Sequence, residues 1–95
     1  TAVPLEVMRL CLDALGEGPD IARDGSANAL SDCAVAGLTL QTGFHGAAYN
    51  VRINLPELTD GDLRRTAEAA LAEWPERADD LAGKIRETVD GRMAK

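Results

Sequence analysis

Residues 33 to 51 contain no Asp, Glu, Lys or Arg, and this feature restricts most strongly what the chain can fold into. An uncharged stretch of this length has to be covered on several sides, either by protein or by lipid. The stretch also holds Gln41, His45, Asn50 and three glycines, so it is too polar for a membrane-spanning helix of about 20 apolar residues. We therefore expect a helix that other helices surround over most of its circumference.

Composition narrows the class of protein and of partner. The 95 residues allow one domain, and 16 acidic against 10 basic residues give a net charge of −6, which argues against nucleic acid or an anionic membrane as a partner. Aromatic residues make up only 3% of a chain rich in Ala and Leu, a composition typical of helices packed through small side chains. Cys11 and Cys33 are too few for a disulfide scaffold, so we expect two reduced, buried thiols in a cytoplasmic protein.

The first predicted helix starts at Pro4, with Glu6 in its first turn. Propensity predicts that it ends near Leu15, because Gly16 to Pro19 interrupts the pattern. The alternative is a kinked helix that runs on to about Arg23.

The second predicted helix begins between Asn28 and Asp32 and ends at about Asn54, before Pro56. Its three glycines predict that another helix approaches the backbone closely, because glycine otherwise costs up to about 1 kcal/mol in a helix. The alternation of residues 49 to 55 also permits a strand there.

The third predicted helix has Thr59 as its N-cap, and apolar residues then recur at spacings of four and three. This phase continues across Pro75, which predicts one long helix with a bend at that residue. We expect the tail from Asp90 to Lys95 to fray.

These elements predict an all-α fold, an antiparallel bundle of about three long helices. Such helices carry more apolar surface than 95 residues can cover, so we expect a missing half or another subunit to complete the bundle. The chain starts with Thr1 and has no initiator Met, which leads us to expect a processed chain or a part of something longer.

Polar residues crowd the predicted start of the second helix: Asn28, Ser31, Asp32 and Cys33. They fit helix capping, and they also fit a site at a helix N-terminus. In such a site Asp32 would hold a cationic ring or orient a water molecule.

The remaining polar residues carry weaker signals. His45 has no second ligand at metal-binding spacing, so we predict no metal site and a packing or hydrogen-bonding role. Asn50 and Asn54 share a helix face, where buried amides usually bond a neighbouring helix. The charge-rich third helix, which includes Asp79, Asp80 and Lys84, is predicted to present a solvated face.

Three blocks of the sequence stand out in order along the chain: Val3 to Met8, Asp24 to Asp32 and Gly46 to Leu55. Together they resemble the cyclodeaminase/cyclohydrolase family of folate enzymes, in which corresponding blocks stand in the same order. The family's pattern at these places is approximately VPLE, then GNxxxxSD, then GAxxNVxINL. The resemblance covers residues 1 to 95 as a single segment, similar to the C-terminal half of a family domain.

The resemblance implies an all-helical domain that forms dimers or larger oligomers, and a helix rather than a strand over residues 49 to 55. It implies a tetrahydrofolate derivative as substrate, whose methenyl bridge the family closes with release of ammonia or opens with water. By the second block, Asn28, Ser31 and Asp32 are the expected substrate-binding residues. The family's catalytic residues are usually assigned to an N-terminal half with a Pro-Gly-Gly-Gly-Ser type loop, which this sequence lacks. The alternative is a non-catalytic helical module that oligomerises or binds folate.

Overall fold

The computed structural model describes residues 2–94 as three helices in a row, which confirms the all-α prediction. Helix α1 spans Ala2–Asp24, α2 spans Leu30–Asn54 and α3 spans Gly61–Met93. Each connection contains a single 3-10 turn, Ala27–Ala29 in the first and Leu55–Glu57 in the second. Short connections of this kind leave successive helices antiparallel. The bundle measures 53 × 17 × 15 Å, so it is long and thin.

Helix α1 continues through the sequence that predicted its end. It contains Gly16, Gly18 and Pro19 and ends at Asp24, so the end at Leu15 is wrong and the alternative helix to about Arg23 is confirmed. Tertiary packing is the reason, because Gly18 is buried against Ile85 of α3. A Cβ atom at position 18 would lie 2.2 Å from Cδ1 of Ile85, so a larger residue there would force the Ile85 side chain to move.

Helix α2 has its predicted length, and residues 49 to 55 form no strand. Two of the three glycines contact other helices as predicted: a Cβ at Gly37 would lie 3.2 Å from Ile85, and one at Gly43 would lie 3.4 Å from Sγ of Cys11. At Gly46 the prediction is wrong within residues 2–94, because a Cβ there would meet nothing within 4 Å.

Helix α3 runs through Pro75 without interruption, as the continuous apolar phase predicted. Its N-cap is Asp60 rather than Thr59, because one carboxylate oxygen of Asp60 accepts hydrogen bonds from the backbone N–H groups of Asp62 and Leu63, at 2.9 and 3.1 Å. The helix continues to Met93, so the expected fraying from Asp90 is wrong over the described part of that tail.

Arg92 holds this end of α3 in place. Its guanidinium donates hydrogen bonds to the carbonyl oxygens of Ala22 and Gly25, at 2.9 and 2.6 Å, and so satisfies backbone acceptors at the end of α1.

Small and aliphatic side chains form the core between the three helices. The largest completely buried side chains are Phe44, Met8, Leu15, Val51 and Val89. Alanine fills much of the rest, which brings the helices close together: Ala22, Ala47, Ala48, Ala67, Ala70, Ala78 and Ala82. Among residues 2–94 no polar or charged residue is buried, and no helix is long and apolar enough to cross a membrane.

Candidate functional site

The predicted substrate-binding residues lie at the start of α2 and all face solvent. Asn28 belongs to the 3-10 turn, while Ser31 and Asp32 stand in the first turn of α2. The N-cap position is Ala29, and no side chain caps this helix end. The capping interpretation is therefore wrong, and the three polar side chains are free of hydrogen bonds to other described residues.

Asp32 borders an open groove of about 430 Å³. We call it the Asp32 groove, and its other lining residues are Val35, Ala36, Thr39 and Leu40. All five residues belong to α2, so the groove has one wall. It offers a carboxylate at one end and an apolar floor beyond it, a combination that suits a flat, partly cationic ring.

Asn28 and Ser31 are not among the residues that line this groove, although they precede Asp32 by only one turn of chain. The structure therefore places one of the three predicted residues in the lining of the groove and leaves the other two outside it.

A second polar cluster joins α2 to α3. Nε2 of His45 lies 2.7 Å from Oδ1 of Asp79, and the side-chain amide of Gln41 donates to the same oxygen at 3.0 Å. The Gln41 and His45 hydrogen bonds lower the pKa of the Asp79 carboxyl group. The predicted hydrogen-bonding role of His45 is confirmed, whereas the solvated-face interpretation of Asp79 missed an interhelical contact.

No sequence signal at Asp79 distinguishes it from Asp80, since both stand in a charge-rich stretch of α3. Only the rotation of α3 against α2 places Asp79 opposite His45. None of the three residues of this cluster lines the Asp32 groove, although Gln41 directly follows Leu40 of that groove, and His45 is 13 residues or about 20 Å from Asp32 along α2.

The two asparagine side chains and the two cysteine thiols are less buried than the sequence predicted. Asn50 is exposed and Asn54 is half-buried, and neither side chain forms a hydrogen bond within residues 2–94, so the prediction of buried, interhelical amides is wrong. Cys11 and Cys33 are both free and half-buried, and burial raises the pKa of the Cys11 thiol. No group of three His, Cys, Asp or Glu residues in this part of the chain is arranged to hold a metal ion.

Comparison with known proteins identifies the family to which the chain belongs. The family model of formiminotransferase-cyclodeaminase matches residues 1–73, more than three quarters of the chain. The chain belongs to the formiminotransferase-cyclodeaminase family. The match covers all three blocks that carry the resemblance.

Two kinds of curated relative share this family. A methenyltetrahydrofolate cyclohydrolase of Methylorubrum extorquens is 34% identical over 98% of this chain and 45% of its own length. The formimidoyltransferase-cyclodeaminase of Rattus norvegicus is 29% identical over 96% of this chain and 17% of its own length, and that of Sus scrofa is 28% identical over 98% of this chain. The chain thus spans less than half the length of each of these relatives. No solved structure matches.

Proposed function

We propose that this chain is part of a folate one-carbon enzyme that acts on the methenyl bridge of tetrahydrofolate. The observation that carries the proposal is the similarity of 98% and 96% of the chain to relatives named for the two reactions at this bridge. One is the hydrolysis of methenyltetrahydrofolate and the other is the cyclodeamination of formiminotetrahydrofolate. A tetrahydrofolate derivative is the substrate, and we propose that a complementary half or a further subunit completes the enzyme. Two unpaired cysteines suit a cytoplasmic location.

The charge of the substrate explains the role that we propose for Asp32. The methenyl bridge is a delocalised cation, since its carbon lies between two nitrogens that share a positive charge. A carboxylate beside an apolar floor stabilises such a ring, and the Asp32 groove combines the two. Asn28 and Ser31 are proposed to bind polar groups of the substrate at the approach to the groove.

Water attacks the bridge carbon during hydrolysis, the bond from this carbon to N5 breaks, and one proton leaves to give the 10-formyl product. In the deaminase direction, N10 attacks the formimino carbon and ammonia leaves. Both routes pass through a tetrahedral carbon and require a proton carrier. We assign that carrier to no residue of this chain.

Binding of methenyltetrahydrofolate tests the role of Asp32. We expect Asp32→Asn to weaken binding about tenfold, the equivalent of about 1.4 kcal/mol. Asp80→Asn is the matched control, because it also removes one exposed negative charge, and it should leave binding unchanged. Equal affinity of Asp32→Asn and wild type would remove Asp32 from the site.

The near-ultraviolet absorbance of methenyltetrahydrofolate measures turnover in the same experiment. Binding that depends on Asp32 without a rate above that of buffer would favour the non-catalytic folate-binding module. The absence of binding would refute the proposed function for this chain.

A further inference from the structure

A second groove runs between α2 and α3 and shares no lining residue with the Asp32 groove. Its volume is about 220 Å³, and it has two walls because both helices line it. We call it the α2–α3 groove. Two of its lining side chains are charged, and the others are small or aliphatic: Ala34, Gly37, Leu38, Ala82 and Ile85. The volume equals that of roughly seven molecules of liquid water, which suits a small organic molecule.

The floor of the α2–α3 groove depends on the missing side chain at position 37. A Cβ atom at Gly37 would lie 3.2 Å from Cγ2 of Ile85, so a larger side chain would occupy the space between the helices. Ile85 is buried, and it also packs against Gly18 of α1. The floor therefore lies where all three helices meet, and the apolar part of a ligand there would contact residues that packing holds in place.

The two charged lining residues, Arg86 and Asp90, have opposite signs and both belong to α3. They are four residues apart and so lie on one face of the helix, where an ion pair is possible. They form none, and neither side chain has a hydrogen-bond partner within residues 2–94. Their order contributes, because a basic residue that precedes an acidic one pairs less favourably in a helix than the reverse order. Both charges are therefore available to a ligand.

The two charges and the apolar floor together define the class of ligand. A ligand with a carboxylate alone would place it near the Asp90 carboxylate, and a ligand with an amine alone would place it near the Arg86 guanidinium. A molecule that carries both groups on one carbon atom avoids either repulsion. Its third substituent has to be apolar, because a polar group on this floor would lose its hydrogen bonds to water.

We propose that the α2–α3 groove binds a free α-amino acid with an aliphatic side chain, such as leucine. The Arg86 guanidinium donates hydrogen bonds to the carboxylate of the ligand, and its ammonium group donates to the Asp90 carboxylate. Its side chain packs on Gly37 and Ile85. This site goes beyond the proposed function and does not rest on it. Because Ile85 contacts both other helices, a bound ligand also stabilises the folded chain by mass action.

Nuclear magnetic resonance of the ¹⁵N-labelled chain, titrated with L-leucine, tests the site. We expect saturable shifts of the Gly37, Ala82 and Ile85 amides at millimolar concentrations, since the two charged groups are exposed. The amides of Ala67 and Ala70, near the other end of α3, should not shift. Leucine that causes no saturable shift would overturn the proposal.

Analogues of leucine test the requirement for both charges. Isocaproate keeps the carboxylate and the aliphatic chain without the ammonium group, and isopentylamine keeps the ammonium group without the carboxylate. Each should bind about fivefold more weakly than leucine, because it loses one exposed ion pair. Glycine lacks the apolar side chain and should cause no shift over the same concentration range. Equal binding of leucine and either analogue would overturn the assignment of an amino acid.

Charge variants assign the two groups to their residues. Arg86→Gln should weaken leucine binding about fivefold and should not weaken that of isopentylamine, which has no carboxylate. Asp90→Asn should weaken leucine binding to a similar degree and should not weaken that of isocaproate. Arg77→Gln and Asp80→Asn are the controls, since they make the same changes at exposed positions of α3 that do not line the groove. Wild-type leucine affinity in both groove variants would contradict the proposed contacts.

A substitution that fills the groove tests its location without a change of charge. Ala34 is half-buried in the α2 wall, so we expect Ala34→Leu to weaken leucine binding at least tenfold with an unchanged circular dichroism spectrum. Ala72→Leu adds the same side chain at an exposed position of α3 and should leave binding unchanged. If methenyltetrahydrofolate shifted the groove amides and leucine did not, the groove would belong to the folate site and the proposal would be refuted.

Discussion

The imidazole of His45 and the carboxylate of Asp79 connect the middle of α2 to α3 through a contact of 2.7 Å between Nε2 and Oδ1. Gln41 donates to the same carboxylate oxygen one turn earlier on α2. These contacts are half-exposed, so they orient the two helices at a modest energetic gain. They are also polar contacts in a bundle whose described core has no buried polar residue.

Replacement of Asp79 by alanine removes both hydrogen bonds. Because the pair is half-exposed, we expect the free energy of unfolding to fall by only about 0.5–1 kcal/mol. Urea unfolding followed by circular dichroism measures the change. Asp80→Ala is the control, because Asp80 is exposed and makes no hydrogen bond to a described residue. Equal losses in both variants would contradict the contact.

The contribution of Asp79 should depend on pH with a definite sign. Its pKa is lowered in the folded protein, first by the Gln41 hydrogen bond and then by that of His45. Folding therefore favours the ionised form, and the stabilisation is complete above the unfolded pKa of about 3.9 and is lost as pH falls through the lower folded value. We expect the stability difference between wild type and Asp79→Asn to shrink as pH falls below about 4. A difference that grows as pH falls below about 4 would show the opposite shift.

Gly18 and Gly16 provide a matched pair in α1. A Cβ at Gly18 would collide with the buried side chain of Ile85, so we expect Gly18→Ala to lower the free energy of unfolding by about 1–3 kcal/mol. A Cβ at Gly16 meets nothing within 4 Å, so Gly16→Ala should raise it by up to about 1 kcal/mol.

Ile85→Val removes Cδ1, the nearer of the two Ile85 atoms that the new Cβ would meet, and keeps the γ carbon that would lie 2.8 Å from it. In that background Gly18→Ala should cost less than in wild type, which a double-mutant cycle by urea unfolding would show. Strict additivity would mean that the Cδ1 methyl group of Ile85 is not what disfavours alanine at position 18.

Arg92 satisfies two carbonyl groups near the end of α1. Arg92→Met keeps most of the aliphatic stem and removes both hydrogen bonds, which should cost about 1–3 kcal/mol. Hydrogen exchange should also accelerate in the last turn of α1, including the Gly25 amide that bonds the Ile21 carbonyl at 2.7 Å. Arg77→Met, on the exposed side of α3, should change neither quantity.

Substitutions at Asp60 and at the adjacent Thr59 should differ in their effect on stability, because only Asp60 caps α3. Asp60→Ala removes the acceptor of two backbone N–H groups and should lower the free energy of unfolding by about 0.5–2 kcal/mol. Thr59→Ala should stay within about 0.5 kcal/mol of wild type, since Thr59 is exposed and caps nothing. A larger effect at Thr59 would restore the assignment made from sequence.

Sequence patterns predicted the helices best where apolar residues recur without a break. The apolar stripe of α3 keeps its phase across Pro75, and that continuity outweighed the local preference of proline to end a helix. At Gly16 to Pro19 helix propensity predicted an end near Leu15, and the helix continues to Asp24 instead. Gly18 packs there against Ile85, which is 67 residues away along the chain, so no local pattern contains this contact.

The candidate site shows the same division. The sequence alone contains the polar residues at the start of α2 and the family blocks, and these predict Asn28, Ser31 and Asp32 as substrate-binding residues. The groove at Asp32 and the absence of capping hydrogen bonds required coordinates, because both depend on where α2 begins and on which way its side chains point.

The sequence by itself therefore determined the helical class, the extent of α2 and the family, since periodicity, charge pattern and motifs are properties of neighbouring residues. Only the tertiary structure decided the end of α1, the contact of His45 with Asp79 and the groove between α2 and α3. Each of these depends on how one helix is rotated against another, and that rotation results from the packing of residues that are distant in the chain.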